Sequence, residues 1–351
     1  MEFGVTFPSR IGDYHLVELA EQCGFDQAWF FDSQMIYSDV YATMALAAKE
    51  TSRIKLGTGV AVPTTRMAAV IAHSIATIAQ LAPNRVELGL GNGNTARLTM
   101  GLRPVPLSTM KKEIRTIQAL LNGEEVVHDF DGNPQLIKLL HPNSGFVNLK
   151  HHIPLTLSAF GEKTLQFCGS ECDSHLSWNT SLEMLKHNRS IINSAAMNAG
   201  RSGKTVPTKA IIPLAILKKG EKANSERVLK SLGPFITNLL HVLCEWDDKL
   251  LPDSPAIKDY VSKYRAYENT LDPQRRHLLL HEGHLLYTRK DESEYLVEEI
   301  AQVAAMIGEP DEIIEKIKIL EANGLSHFAF QVTDAPADQI KSFAEQIINR
   351  Y

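Results

Sequence analysis

Cysteine is scarce in this chain, with four in 351 residues. Cys23, Cys168, Cys172 and Cys244 are too few and too irregularly spaced for a disulfide framework, and a reduced core thiol accounts for each. Long apolar runs are missing as well: no stretch of 18 consecutive apolar residues occurs, so no membrane span is expected. The amino terminus enters a β-rich run at once, without a basic region, apolar core and cleavage site, which makes the cytoplasm the expected location. Basic runs are absent too, and the formal charge is −5. No surface for a nucleic-acid backbone is expected from such a distribution.

What is present is a soluble enzyme's composition, 44% hydrophobic and 22% charged, in a chain long enough for one large α/β barrel or two ordinary domains. The stretch from Ile54 to Asn94 sets the pattern. It reads as a β-rich run ending in Gly57, Thr58 and Gly59, a helical period beginning near Met67, and a second run ending in Gly91, Asn92, Gly93 and Asn94. Strand, helix, strand is the unit of parallel α/β architecture.

The unit recurs along the chain. Strands are expected to start at Phe3, Ala28, Ile54, Val86, Ile153, His175, Lys209 and His327, with helices over Tyr14 to Cys23, Val40 to Glu50, Thr109 to Leu121, Leu182 to Ala199 and Ala337 to Ile348. Gly24 suits the left-handed position that ends the first helix, and Glu309-Pro310-Asp311 opens another that stops at Asn323-Gly324. Eight such strands predict a (β/α)8 TIM barrel as a single domain over residues 1–351, with insertions at the carboxyl face. Counting alone leaves an open doubly wound sheet as the alternative. The run Gly89-Leu90-Gly91-Asn92-Gly93 lacks the spacing of a dinucleotide fingerprint and a helix directly behind it.

Two stretches depart from the repeat. Residues 124–150 carry turn signals at Asp131-Gly132-Asn133-Pro134 and read as a short hairpin-like insertion. Residues 222–287 are mainly helical, broken at Leu251-Pro252-Asp253-Ser254-Pro255, and are expected to cover the ligand site. The segment Thr95 to Ser108 reads as a loop over the mouth, and Gly200-Arg201-Ser202-Gly203 as a turn. Thr208 to Leu217 reads as one β-rich run.

Three strand ends, Asp32-Ser33-Gln34, Gly57 to Val60 and Gly91 to Asn94, converge on one face if the barrel closes. Glycines there would let backbone approach a flat ligand, and Asn or Thr would bond a ring edge without adding charge. Taken singly, each cluster reads equally well as turn chemistry. Ser158 to Thr164 lies between a strand and a helix, where backbone amides can hold a phosphate; a plain helix start explains it as well. Arg276, His277, His281 and His284 cluster late in the chain. Their spacing allows a metal, but Gly283 interrupts the helix and no HExxH motif is present, so no metal is assigned. His73, within an alanine-rich helix, reads as structural.

The order FGVTFPSR, AEQCGFDQAWFFDSQ, TSRIKLGTGVAVPTTRM, APNRVELGLGNGN and IGEPDEIIEKIKILEANGLSHFAF resembles the bacterial luciferase-like superfamily of flavin or deazaflavin oxidoreductases, and most the branch containing methylenetetrahydromethanopterin reductase. The resemblance implies FMN or the 8-hydroxy-5-deazaflavin coenzyme at the carboxyl face. It also implies a non-proline cis bond at Gly59-Val60 against the ring. Thr58, Gly59, Val60 and Asn92 would bind the cofactor, and Ala159, Phe160, Gly161, Glu162 and Lys163 its phosphate or ribityl end. Asn94 and Asp32 would stand at the reacting centre, with Ser33, Tyr37, Arg276 and His277 towards substrate. Deazaflavin-dependent relatives often carry Asp-His where this chain has Asp32-Ser33, so His281, His284 or Glu282 in the insertion is expected to supply acid or base.

Three functions follow as expectations. One is a monooxygenase fed with reduced FMN by a flavin reductase partner. Another is a hydride-transfer reductase using the deazaflavin on a small-molecule substrate. The last is a barrel without catalysis, acting as a binding or structural subunit. By the same resemblance a homodimer is expected, with the alanine-rich helix from Met67 to Leu81 at its interface.

Overall fold

Runs of alternating large and small residues, each four to seven long, pair side by side in chain order and close on themselves in the computed structural model. It describes residues 1–178, 181–201, 205–248, 251, 253–333 and 335–351. The barrel strands are β1 (Glu2–Phe7), β2 (Gln27–Phe30), β3 (Lys55–Thr58), β4 (Val86–Leu90), β7 (Leu155–Ser158), β8 (Ser174–Ser177), β9 (Thr208–Ile212) and β12 (Leu325–Gln331). All pair in parallel, and β1 meets β12 to complete the ring. The eight expected strands are all present and the open sheet is ruled out. Closure removes both sheet edges.

Helices α1 (His15–Gln22), α2 (Val40–Glu50), α3 (Ala68–Leu81), α5 (Leu107–Leu121), α6 (Glu162–Glu171), α7 (Leu182–Asn198), α12 (Pro310–Ala322) and α13 (Pro336–Gln346) pack on the outside. Local chemistry sets their ends. Asp39 caps α2 through the Ala42 amide at 2.9 Å, and Glu309 and Glu312 form a reciprocal capping box ahead of Pro310. Gly24 and Gly324 take positive φ where α1 and α12 stop.

Because side chains alternate along a strand, one set of every barrel strand points inward, and these stack in layers. The lowest layer, at the amino ends, is polar. Lys209 lies 2.6 and 2.7 Å from the two Glu87 carboxylate oxygens, and Gln27 donates to Glu87 at 2.9 Å. Thr156 also bonds Glu87. Burial pushes the Glu87 carboxyl up, but Lys209 and these donors outweigh it and hold the group below its ordinary range. Above them sit Trp29, Leu176, Ile211 and Ala329, with the Trp29 indole donating to His327 Nε2 at 3.0 Å. Gly57 makes room for that indole, since a Cβ there would lie 2.8 Å from the ring.

Between β4 and β7 the hairpin β5 (Val126–Phe130) and β6 (Asn133–Ile137) forms as expected. The segment expected as a loop from Thr95 to Ser108 instead begins with α4 (Asn94–Leu98), and α5 starts at Leu107. A five-residue helix is too short to show a period. A helix therefore does stand directly behind the glycine run, although the spacing is still not that of a dinucleotide site.

The longest excursion lies between β9 and α12. The run Thr208 to Leu217 is two strands, because Pro213 separates β9 from β10 (Leu214–Ile216). β10 pairs with β11 (Met306–Gly308), a strand whose three residues carry too little pattern to be read in advance. Between these two lie α8 (Glu226–Cys244), α9 (Pro255–Glu268), α10 (Arg276–Leu280) and α11 (Glu298–Ala304). They share a second apolar core of Val228, Leu232, Phe235, Leu240, Val261 and Tyr264, into which Phe31 projects from the end of β2. The break read at Leu251 to Pro255 and the turn read at Gly200 to Gly203 include Pro252, Ser202 and Gly203, which lie outside the described residues.

Two surface readings change. His73 is exposed on α3, not structural. The alanines of the helix expected at a dimer interface, Ala68, Ala72, Ala76 and Ala79, are buried within the chain, and α3 with its N-cap exposes Met67, Val70 and Leu81 instead. A helical face is fixed by its neighbours, and the sequence shows only its period.

Candidate active site at the carboxyl ends of the strands

At the top of the barrel, β3 ends in a bulge that leans on β4. Thr58 Oγ1 donates to the Gly89 carbonyl at 2.7 Å, Ala61 N donates to the same carbonyl at 2.8 Å, and Gly91 N donates to Ala61 O at 3.0 Å. The Gly59-Val60 bond is cis, as the resemblance implied. A Cβ on Gly89 would fall 2.0 Å from Thr58 O, and one on Gly91 would fall 2.6 Å from a Val60 methyl. These two glycines are therefore required by the bulge itself, not by the approach of a ligand. Asn92 and Asn94 are exposed at the mouth, with Gly93 between them at φ 77°.

Asp32 leaves β2 almost fully buried and meets Arg66, whose guanidinium lies 2.6 Å from one carboxylate oxygen. Arg66 also reaches Asp39 at 2.8 Å, and Gln34 donates to Asp32 at 3.0 Å. Burial raises the Asp32 carboxyl above its ordinary value, with Arg66 pulling the other way and not prevailing. Ser33 is buried and its carbonyl accepts from the Ile36 and Tyr37 amides, so the chain turns there. Tyr37 OH then donates to His284 O at 3.3 Å.

Two inward positions at the ends of β1 and β12 were not foreseen. Thr6 and Gln331 pair in register, and both are buried. The Thr6 hydroxyl and both ends of the Gln331 amide have no partner among the described residues. An unpaired buried donor and acceptor cost about 1–3 kcal/mol each. A polar edge offering one acceptor and one donor, as a flavin or deazaflavin ring does, would satisfy Gln331, so these residues fit the cofactor implied by the resemblance.

The Ala159–Lys163 segment joins β7 to α6. Phe160, Gly161, Glu162 and Lys163 are exposed, and α6 opens at Gly161 with no side-chain cap. Its first amides are thus free of side-chain competition, which suits a phosphate, with Lys163 adding charge of the right sign and Glu162 opposing it. Ala159 is buried, and His175 Nε2 donates to its carbonyl at 2.9 Å. Burial drives the His175 pKa down to about 4, so the ring is a neutral donor that fixes this segment from behind. Its place in a four-residue strand gave no signal in the sequence beyond marking a strand start.

The helical excursion reaches the same mouth. The His277 ring lies over Gly101, and His284 Nε2 lies 3.1 Å from Thr95 Oγ1 in α4. His281 and His284 stand beside His241 of α8, with ring centroids 5.6 Å apart for each neighbouring pair. His277 gives this group its carbonyl, not its ring. Arg276 is half-buried, with its Nε unpartnered.

A family model described as luciferase-like monooxygenase matches residues 1–327. A 5,10-methylenetetrahydromethanopterin reductase of Methanolobus tindarius is 36% identical over 230 residues, covering 64% of this chain and 68% of that one. An F420-dependent glucose-6-phosphate dehydrogenase of Beutenbergia cavernae is 26% identical over 95% of this chain and 90% of its own. Among solved structures, the coenzyme F420 dependent tetrahydromethanopterin reductase of Methanopyrus kandleri superposes with a TM-score of 0.70 at 19% identity, covering 100% of this chain and 99% of that one.

Proposed function

The chain belongs to the luciferase-like monooxygenase family, and from that premise we propose that it is an oxidoreductase that exchanges hydride between the 8-hydroxy-5-deazaflavin coenzyme and a small organic substrate. The unpartnered Gln331 amide beside Thr6, buried at the closed end of the mouth, is the observation that carries a ring-binding site. The choice of deazaflavin over FMN leans on relatives named for methylenetetrahydromethanopterin reduction and for F420. A reduced pterin carrying a one-carbon bridge is accordingly the first substrate to try.

Bound here, the deazaflavin would supply a two-electron carrier that does not need oxygen. The chain's own work is positional. In this reading Gln331 and Thr6 meet the ring edge, the Thr58–Val60 bulge backs it, and Asn92 borders it. Ala159 to Lys163, steadied by His175, hold the phosphate end. Ser33, Tyr37, Arg276 and His277 lie towards substrate, and the helical excursion over residues 222–287 covers them from water.

Asp32 and Asn94 stand at the reacting centre. The acid or base role first expected of His281 or His284 passes to Asp32 here. Burial drives His284 well below its ordinary value and His281 to about 4, so neither holds a proton at neutral pH. Asp32, buried beside Arg66 and raised by burial, is the carboxyl left for the role. The hydride reading needs no flavin reductase partner. The homodimer remains part of the proposal, carried by the exposed Met67, Val70 and Leu81 of α3, and the four free thiols agree with a cytoplasmic location.

Titration of the purified protein with the deazaflavin and separately with FMN, followed by absorbance and fluorescence, tests the reading. Preference for the deazaflavin, with anaerobic oxidation of its reduced form on adding a methylene-bridged reduced pterin, is expected. Tight FMN binding with oxygen uptake would replace it with the monooxygenase, and binding of neither would leave a barrel without catalysis.

A further inference from the structure

The three imidazoles of His241, His281 and His284 converge where the helical excursion meets the barrel. One ring nitrogen of each lies within 4.8 Å of the others. One nitrogen of each ring has a partner. His241 Nε2 lies 2.7 Å from Tyr264 OH and 3.3 Å from a Glu292 carboxylate oxygen. His281 Nδ1 donates to the His277 carbonyl at 2.8 Å. His284 Nε2 faces Thr95 Oγ1 at 3.1 Å.

The remaining nitrogens of His241 and His284, Nδ1 in both, are buried with no partner among the described residues. With its Nδ1 committed, His281 has Nε2 left to offer. Rings held through one nitrogen, with the other left to bind, are the arrangement found in histidine ligands of metals, the Glu292 carboxylate bonded to His241 above all. Left empty, the same arrangement strands two buried acceptors.

We propose that His241, His281 and His284 bind a divalent transition metal ion of the zinc class. Three neutral imidazoles and no carboxylate in the inner set favour zinc, cobalt, nickel or copper over magnesium or calcium. Tetrahedral coordination with metal–nitrogen bonds near 2.0–2.1 Å puts ligand nitrogens about 3.4 Å apart, so each ring nitrogen moves inward by at most about 0.8 Å. The three ligands come from α8 and from the turn after α10, and His284 is tied to Thr95 and Tyr37 near the barrel mouth. A bound ion would therefore pin the cover to the rim. The site is independent of which cofactor the barrel takes.

The test uses full-length protein freed of metal with a chelator, then titrated calorimetrically with zinc chloride and, in a second series, with cobalt chloride followed by visible absorbance. One ion per chain at micromolar affinity or better is expected, with the intense visible bands of four-coordinate cobalt and a raised melting temperature. His241→Ala should abolish both signals, and Glu292→Gln should weaken zinc binding about 10–100-fold. His152→Ala, at an exposed histidine outside the cluster, should leave binding unchanged. If His241→Ala does not fold, Glu292→Gln still decides. No ion bound by the wild-type protein, or affinity unmoved by either His241→Ala or Glu292→Gln, would overturn the proposal.

Discussion

The two ends of the barrel interior are built from the same strands and spend their polar groups in opposite ways. At the amino ends, Glu87, Lys209, Gln27, Thr156 and Ser174 close a network in which the buried charges are paired and bonded. At the carboxyl ends, Thr6 and Gln331 are as deeply buried and have nothing to bond. A satisfied network fixes a fold, and an unsatisfied one waits for a ligand. Parallel strands direct this division, because all their loops of one kind gather at one end.

The comparison can be broken at either end. Asp32→Asn at the upper end should lower turnover with the deazaflavin by about 10²–10⁴-fold while the far-ultraviolet spectrum and melting temperature barely change. An unchanged rate would remove Asp32 from the chemistry. Lys209→Met at the lower end should cost about 3–5 kcal/mol of stability by leaving Glu87 charged and alone, measured by urea unfolding. Loss of cofactor affinity without loss of stability would show that the lower network serves the site after all.

A finer contrast lies in Gln331→Leu. Removing its stranded amide should stabilise the cofactor-free protein by about 1 kcal/mol and weaken cofactor binding by about tenfold. Both changes in the same direction would contradict the division. A pH dependence tests the buried imidazoles. His175 and His281 have pKa values lowered from 6.5 to about 4, so below 6.5 the unfolded chain binds protons that the folded chain refuses. Stability should therefore fall as pH drops from 6.5 towards 4, with His284 and His327 shifted in the same sense. Glu268, raised to about 7 by burial and then by Glu245, works against this, because the folded chain keeps its proton between 4.5 and 7. Asp32, also raised by burial, opposes it in the same sense; four imidazoles outweigh these two carboxyls, and a melting temperature flat or rising on acidification would refute their neutral burial.

Much of the fold was legible because burial repeats with the period of each element. Phe3, Val5 and Phe7, or Met110, Ile114 and Ile117, announce a strand or a helix without reference to anything distant. The short pieces α4 and β11 were not legible, since three to five residues hold no period. The candidate site was legible in part. Asp32, Asn92, Asn94 and the 159–163 segment stand out as polar or small residues at strand ends. Arg66, 34 positions from Asp32, has no such mark, and Gln331 and Thr6 look like any polar residue in a strand.

The sequence by itself determined the eight strands and their alternation with helices, because alternation and turn chemistry are local and survive without a partner. Only the tertiary structure decided that Gly89 and Gly91 serve the bulge beside them, that Thr6 is left unpaired next to Gln331, and that His241 joins His281 and His284. Those facts depend on closing the ring and folding the excursion back over it, and a contact made by closure has no period along the chain.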